Sequence, residues 1–73
     1  VQLSPHPAWV GMSIEQIERR AEMRVAWLTR GSAMIVASDK KILQDGDLLH
    51  CAVTVAQASK LRRTLSKAPV KEF

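Results

Sequence analysis

One cysteine, three glycines, one phenylalanine and no tyrosine occur among the 73 residues. A single thiol, Cys51, cannot close an internal disulfide, and its presence unpaired fits a reducing compartment. Gly11, Gly31 and Gly46 lie far apart, so no glycine-rich loop is available to cradle a phosphate. No apolar run reaches the ~20 residues that a bilayer-spanning helix needs. The start, VQLSPHPAW, lacks the basic and apolar regions of a signal peptide and lacks an initiator Met. The expectation is therefore a piece excised from a longer chain.

Blocks of like charge are also missing. Eleven basic residues against seven acidic ones give a net charge of +4, yet the cations are spread along the chain. Two tryptophans and one phenylalanine leave little for stacking on bases. These features read as a solvated, mildly basic surface, with no nucleic acid as partner. A small basic nucleic-acid-binding module is the second reading, because Lys60, Arg62, Arg63 and Lys67 fall on the last predicted helix.

What is present suits one small globular domain spanning residues 1–73, with 47% hydrophobic and 25% charged residues. A chain this short buries only roughly 60% of the surface that its unfolded form exposes. Self-association or attachment to a larger protein is the expected source of further buried area.

Along the chain, Pro5 and Pro7 confine the first nine residues to an edge strand or extended arm. Ser13 and Gln16 form a capping box, with Met12 and Ile17 placed as its hydrophobic staple. The spacing of Ile14, Ile17 and Ala21 predicts a helix over roughly 14–23. Residues 24–37 read as a hairpin. Val25, Trp27 and Thr29 alternate with Ala26, Leu28 and Arg30, and Gly31-Ser32 supplies the turn. The returning strand, Ala33 to Ala37, is apolar throughout and is expected to be covered on both faces. Leu48 to Val53 is a further strand, with Leu49, Cys51 and Val53 on one face and Leu48, His50 and Ala52 on the other. Thr54 and Gln57 form a second capping box, opening a helix to about Lys67 with Ala58, Leu61 and Leu65 inward and Pro69 beyond its end. The fold class expected is α+β: a mostly antiparallel sheet with two helices packed on one face, in the order β-α-β-β-β-α.

Chemistry finds few handles. Asp45, Gly46 and Asp47 could be read as a carboxylate site, but turn chemistry accounts for all three, and both carboxylates are expected beside a solvent-facing turn. A calcium loop would need more oxygen ligands and a bidentate Glu. His6, His50 and Cys51 are the soft metal ligands, and neighbours in a strand point to opposite faces, so no metal site is expected. Cys51 reads as a core residue without an activating base. No catalytic residue is identified, and the chain is not expected to be an enzyme.

WVGMSIEQI, the hairpin VAWLTRGSAMIVA, and ILQDGDLLHCAV together resemble the C-terminal (RCK-C) domain of TrkA-type potassium-transport regulators. The family pattern appears here as Gly11-Met12-Ser13-Ile14, then Arg30-Gly31, then Leu43-Gln44-Asp45-Gly46-Asp47-Leu48-Leu49. The resemblance runs from about residue 8 to residue 65. It implies a cytoplasmic, non-catalytic regulatory homodimer, set at the C-terminus of a longer protein. Such a unit is peripheral to the membrane through a potassium transporter or channel partner and does not itself insert. It further implies a small nucleotide regulator such as cyclic di-AMP, with Arg30, which matches the family's basic hairpin position, as a ligand-binding cation; Lys40 is the second candidate, as positive charge nearby. A Pro that several ligand-binding members carry at the end of the second hairpin strand is replaced here by Ala37-Ser38. NAD or ATP is expected only in a preceding domain, and the dimer seam on Val25, Trp27 and Ile35.

Overall fold

Two capping boxes set where the helices begin. In the computed structural model, which describes residues 1–69, the Ser13 hydroxyl accepts from the Gln16 backbone N–H at 3.2 Å. The Gln16 side chain accepts in return from the Ser13 N–H at 3.0 Å. Thr54 and Gln57 repeat the exchange at 3.2 Å in both directions. Each box satisfies two N–H groups that a helix start would otherwise leave unpaired. They open α1 (Ile14–Ala21) and α2 (Val55–Leu65).

Both helices stop about two residues earlier than periodicity predicts. Glu22 turns into the left-handed region at φ 54°, and the Met23 N–H folds back to the Glu18 carbonyl at 3.2 Å. This closing bond belongs to the Schellman family of helix ends, made here without the usual glycine. α2 ends at Leu65, with Ser66 as its C-cap. Apolar spacing marks which residues face inward; it does not mark where the backbone leaves the helix.

The strands are β1 (Gln2–Leu3), β2 (Trp27–Arg30), β3 (Ala33–Val36) and β4 (Leu48–His50). They form one antiparallel sheet in the order β1-β4-β2-β3, which gives the expected β-α-β-β-β-α architecture. β1 lies at an edge, ahead of a short 3-10 turn over Pro7–Trp9. Gly31, at φ +61°, is the one turn residue of the β2–β3 hairpin with positive φ, the arrangement of a II′ turn. β4 is shorter than the predicted run: beyond His50 the Cys51 N–H still binds the Val1 carbonyl at 2.9 Å, but the ladder with β2 has ended.

Leu3, Leu49 and Leu28 stand side by side across β1, β4 and β2. On this row pack Ile14, Ile17 and Ala21 of α1 and Leu61 and Leu65 of α2. Ile35, paired with Leu28, extends the row to β3 and packs at the margin of the core. Trp9 is buried, and its indole N–H donates to the Lys67 carbonyl at 2.6 Å. With the His6 N–H bound to the Leu65 carbonyl at 2.7 Å, it ties the N-terminal arm to the end of α2.

The expectation that Ala33 to Ala37 is covered on both faces is corrected. β3 is an edge strand, and Met34 and Val36 are 72% and 78% exposed. A continuous apolar run signals double burial only in a central strand with layers on both sides. Here the core lies on the Leu28 face alone.

Candidate functional site

The segment around Asp45–Gly46 is a turn, with Gly46 at φ +83° and the Asp47 N–H bound to the Gln44 carbonyl at 3.1 Å. Asp45 is exposed there, as expected. Asp47 is not: its side chain is 0% exposed and faces Arg30. The Arg30 Nε–H donates to Oδ1 at 2.9 Å and an Nη2–H donates to Oδ2 at 2.8 Å. Oδ2 also accepts from the Gln44 N–H at 2.9 Å, and Arg30 Nη2 reaches the Ile42 carbonyl at 3.3 Å. Hydrogen bonding from Arg30 holds the Asp47 carboxyl below the usual carboxylate range, against the opposing effect of burial and with help from Gln44. The same bond raises Arg30 above its ordinary value.

This pair corrects the expectation that both carboxylates sit beside a solvent-facing turn. The β2–β4 register sets Thr29 opposite Leu48, so Arg30 and Asp47 are the next residues along. Opposite charge was the signal in the sequence, but only the strand order makes the two residues neighbours. Lys40 stands exposed in the turn closed by the Lys41 N–H to Ser38 carbonyl bond of 2.9 Å. Among the described residues no hydrogen bond or ion pair joins Lys40 to Arg30.

The second feature is the sheet face turned away from the helices. Gln2, His50, Trp27 and Val36 line up across all four strands, with Leu48, Thr29 and Met34 as the next row. The Trp27 and His50 rings stack at 4.9 Å and 10°. Thr29 Oγ1 and His50 Nε2 share a hydrogen bond of 3.2 Å, which fixes the imidazole against the indole. Trp27 is nonetheless 40% exposed, beside the still more exposed Met34 and Val36. Of the three residues expected at a dimer seam, only Trp27 lies on this face. Val25 precedes the strand, so alternation does not govern it, and it is buried in the core; Ile35 packs from the opposite face.

An open cleft of about 790 Å³ runs between the helices, lined by Glu18, Met23, Arg24, Val53, Gln57 and Lys60 among others. Its charges largely answer one another: Arg19 with Glu15 at 3.2 Å, Arg24 with Glu18 at 3.8 Å, Lys60 with Glu22 at 3.7 Å. His50 and Cys51 point to opposite faces. The buried Cys51 thiol meets the Met23 sulfur at 3.4 Å, and burial pushes its pKa up, away from the thiolate form needed of a nucleophile. Among the described residues no group of three His, Cys, Asp or Glu side chains is placed to hold a metal ion.

No family model matches the chain, and no solved structure matches it. Among curated proteins it is similar to the Trk system potassium uptake protein TrkA of Streptomyces coelicolor (strain ATCC BAA-471 / A3(2) / M145). The two are 32% identical over 65 residues, covering 89% of this chain and 29% of that relative. The chain thus spans less than a third of the relative's length, and over most of its own length it is related in sequence to part of a TrkA protein.

Proposed function

We propose that this chain is a regulatory dimerisation and ligand-sensing domain of a TrkA-type potassium-uptake regulator. The similarity to TrkA over 65 residues carries the reading. In it the domain is non-catalytic and works in the cytoplasm, and its longer protein acts on a membrane potassium transporter. The mechanism is population shift: a ligand that prefers one arrangement of two protomers moves the pair toward it.

Dimerisation draws support from β3 and the outer sheet face. β3, AMIV, carries no charge and no proline, the devices by which open edges are usually guarded against pairing. A second copy adding its own β3 about a two-fold axis would continue the sheet and shelter Met34 and Val36. Trp27, stacked on His50, lies at the inner end of the same face.

For the ligand, the reading keeps a phosphate-bearing nucleotide such as cyclic di-AMP. Lys40 offers an exposed cation and Arg30 whatever its bonds to Asp47 leave available. NAD or ATP would belong to another domain of the longer protein.

Analytical ultracentrifugation tests the first part. A dimer is expected, with Val36→Lys shifting it to monomer; a wild type that stays monomeric at high micromolar concentration overturns dimerisation. Calorimetry with cyclic di-AMP on wild type and Lys40→Ala tests the second. Lys40→Ala is the cleaner variant, because Arg30→Ala would also strand Asp47. Equal heats from both proteins would remove Lys40 from the site.

A further inference from the structure

The two helices treat their cations differently. On α1, Arg19 lies one turn after Glu15 and pairs with it at 3.2 Å, and Arg24 just beyond the helix reaches Glu18. α2 has no acidic residue in VAQASKLRRTL, yet carries Lys60, Arg62 and Arg63, with Lys67 just past its C-cap. Lys60 meets Glu22 at 3.7 Å with both side chains mostly exposed. Arg62, Arg63 and Lys67 are exposed, and among the described residues no ion pair holds them.

Ala58, Leu61 and Leu65 turn inward, so Lys60 and Arg63 occupy the outward arc of α2, with Arg62 exposed on its flank. Lys60 and Arg63, three residues apart, are like charges at neighbouring positions on a helix, and such pairs repel. The helix dipole favours cations in the last turn and offsets part of this repulsion. It does not account for the absence of any carboxylate along the whole helix, which leaves a one-signed strip suited to a polyanion.

We propose that the outward face of α2 docks on the anionic phospholipid headgroups of a membrane surface. A planar array of phosphates asks only for a convex cationic face, and its attraction is summed over the basic residues within a Debye length. Single-stranded nucleic acid would also want aromatic platforms. Trp9 is buried and Trp27 lies on the far side of the sheet, so neither serves this strip. Among the described residues no helix is long and apolar enough to cross a membrane, and the contact proposed is superficial. The choice of a bilayer among polyanions rests on the potassium-uptake reading, which sets the chain beside a membrane. A dimer would present the strip twice and strengthen a weak contact through avidity.

Co-sedimentation with phosphatidylcholine vesicles, with and without about 30% phosphatidylglycerol, at about 50 mM and about 300 mM salt, tests the proposal. Wild type is expected to bind only the phosphatidylglycerol vesicles, and to leave them at the higher salt. Arg62→Glu/Arg63→Glu is expected to lose at least about tenfold in affinity. Arg24→Glu/Lys41→Glu, the same charge change elsewhere on the surface, should lose less than about threefold. Circular dichroism confirms that both variants fold. Equal losses in the two variants, no dependence on phosphatidylglycerol, or tighter binding to duplex DNA than to vesicles overturns the proposal. A monomer that binds the vesicles would sink the dimer reading and spare this one; a dimer that ignores them does the reverse.

Discussion

Arg30 and Asp47 meet through two parallel hydrogen bonds of 2.9 and 2.8 Å, across seventeen residues of sequence. The fork joins the hairpin tip to the turn that feeds β4, and through the Ile42 carbonyl it also holds the segment between them. A lysine could supply charge at position 30 but not this planar pairing.

Replacing the carboxylate should therefore cost far more than replacing its exposed neighbour in the same turn. Asp47→Ala is expected to destabilise by about 2 kcal/mol through the loss of three bonds to one charged group. In a domain of this size that is a fall of roughly 10 °C in Tm. Asp45→Ala, in the same turn but exposed, should stay within about 0.5 kcal/mol. Arg30→Lys should lower Tm while keeping the net charge. Thermal melts followed by circular dichroism check all three.

The same pair sets an acid limit. Asp47 has its pKa depressed in the folded state, so its contribution is fully present above the unfolded value of about 4 and is lost as pH falls through the folded one. Tm should not respond to this group between neutral pH and about 5, then drop on further acidification. Asp47→Asn should be less stable than wild type at neutral pH, with the two curves converging in strong acid. A constant gap at every pH would show that the charge is irrelevant.

Much of the fold was legible in residue chemistry. Ser13–Gln16 and Thr54–Gln57 marked both helix starts, and Leu61 and Leu65 declared the buried face of α2. Gly31-Ser32 gave the hairpin turn. What stayed hidden depends on which strands become neighbours. The strand order β1-β4-β2-β3 leaves β3 on an edge, and it brings Arg30 to Asp47. Local pattern carries no information about either. Alternation sets Val25 with Trp27, but the strand begins two residues later, and Val25 lies in the core.

Each capping box should be separately measurable. Ser13→Ala and Thr54→Ala are each expected to cost about 1 kcal/mol, read as a lower urea midpoint with an unchanged slope. The two sites lie on different helices, and the double variant should show nearly the sum.

Cys51 should behave as a hidden thiol. Buried against Met23, with its pKa raised by desolvation, it is expected to react with Ellman's reagent slowly in the native protein. In urea it should react at once. Rapid native labelling would mean that the core opens easily around β4.

The placement of β1 bears on how the chain can be built. Its partner, β4, is the last of the four described strands, so β1 has nothing to pair with in this sheet until residue 50 has left the ribosome. The hairpin of β2 and β3 can close early and locally, but the sheet is finished only by a long loop closure, which places this small domain among the slower folders for its length.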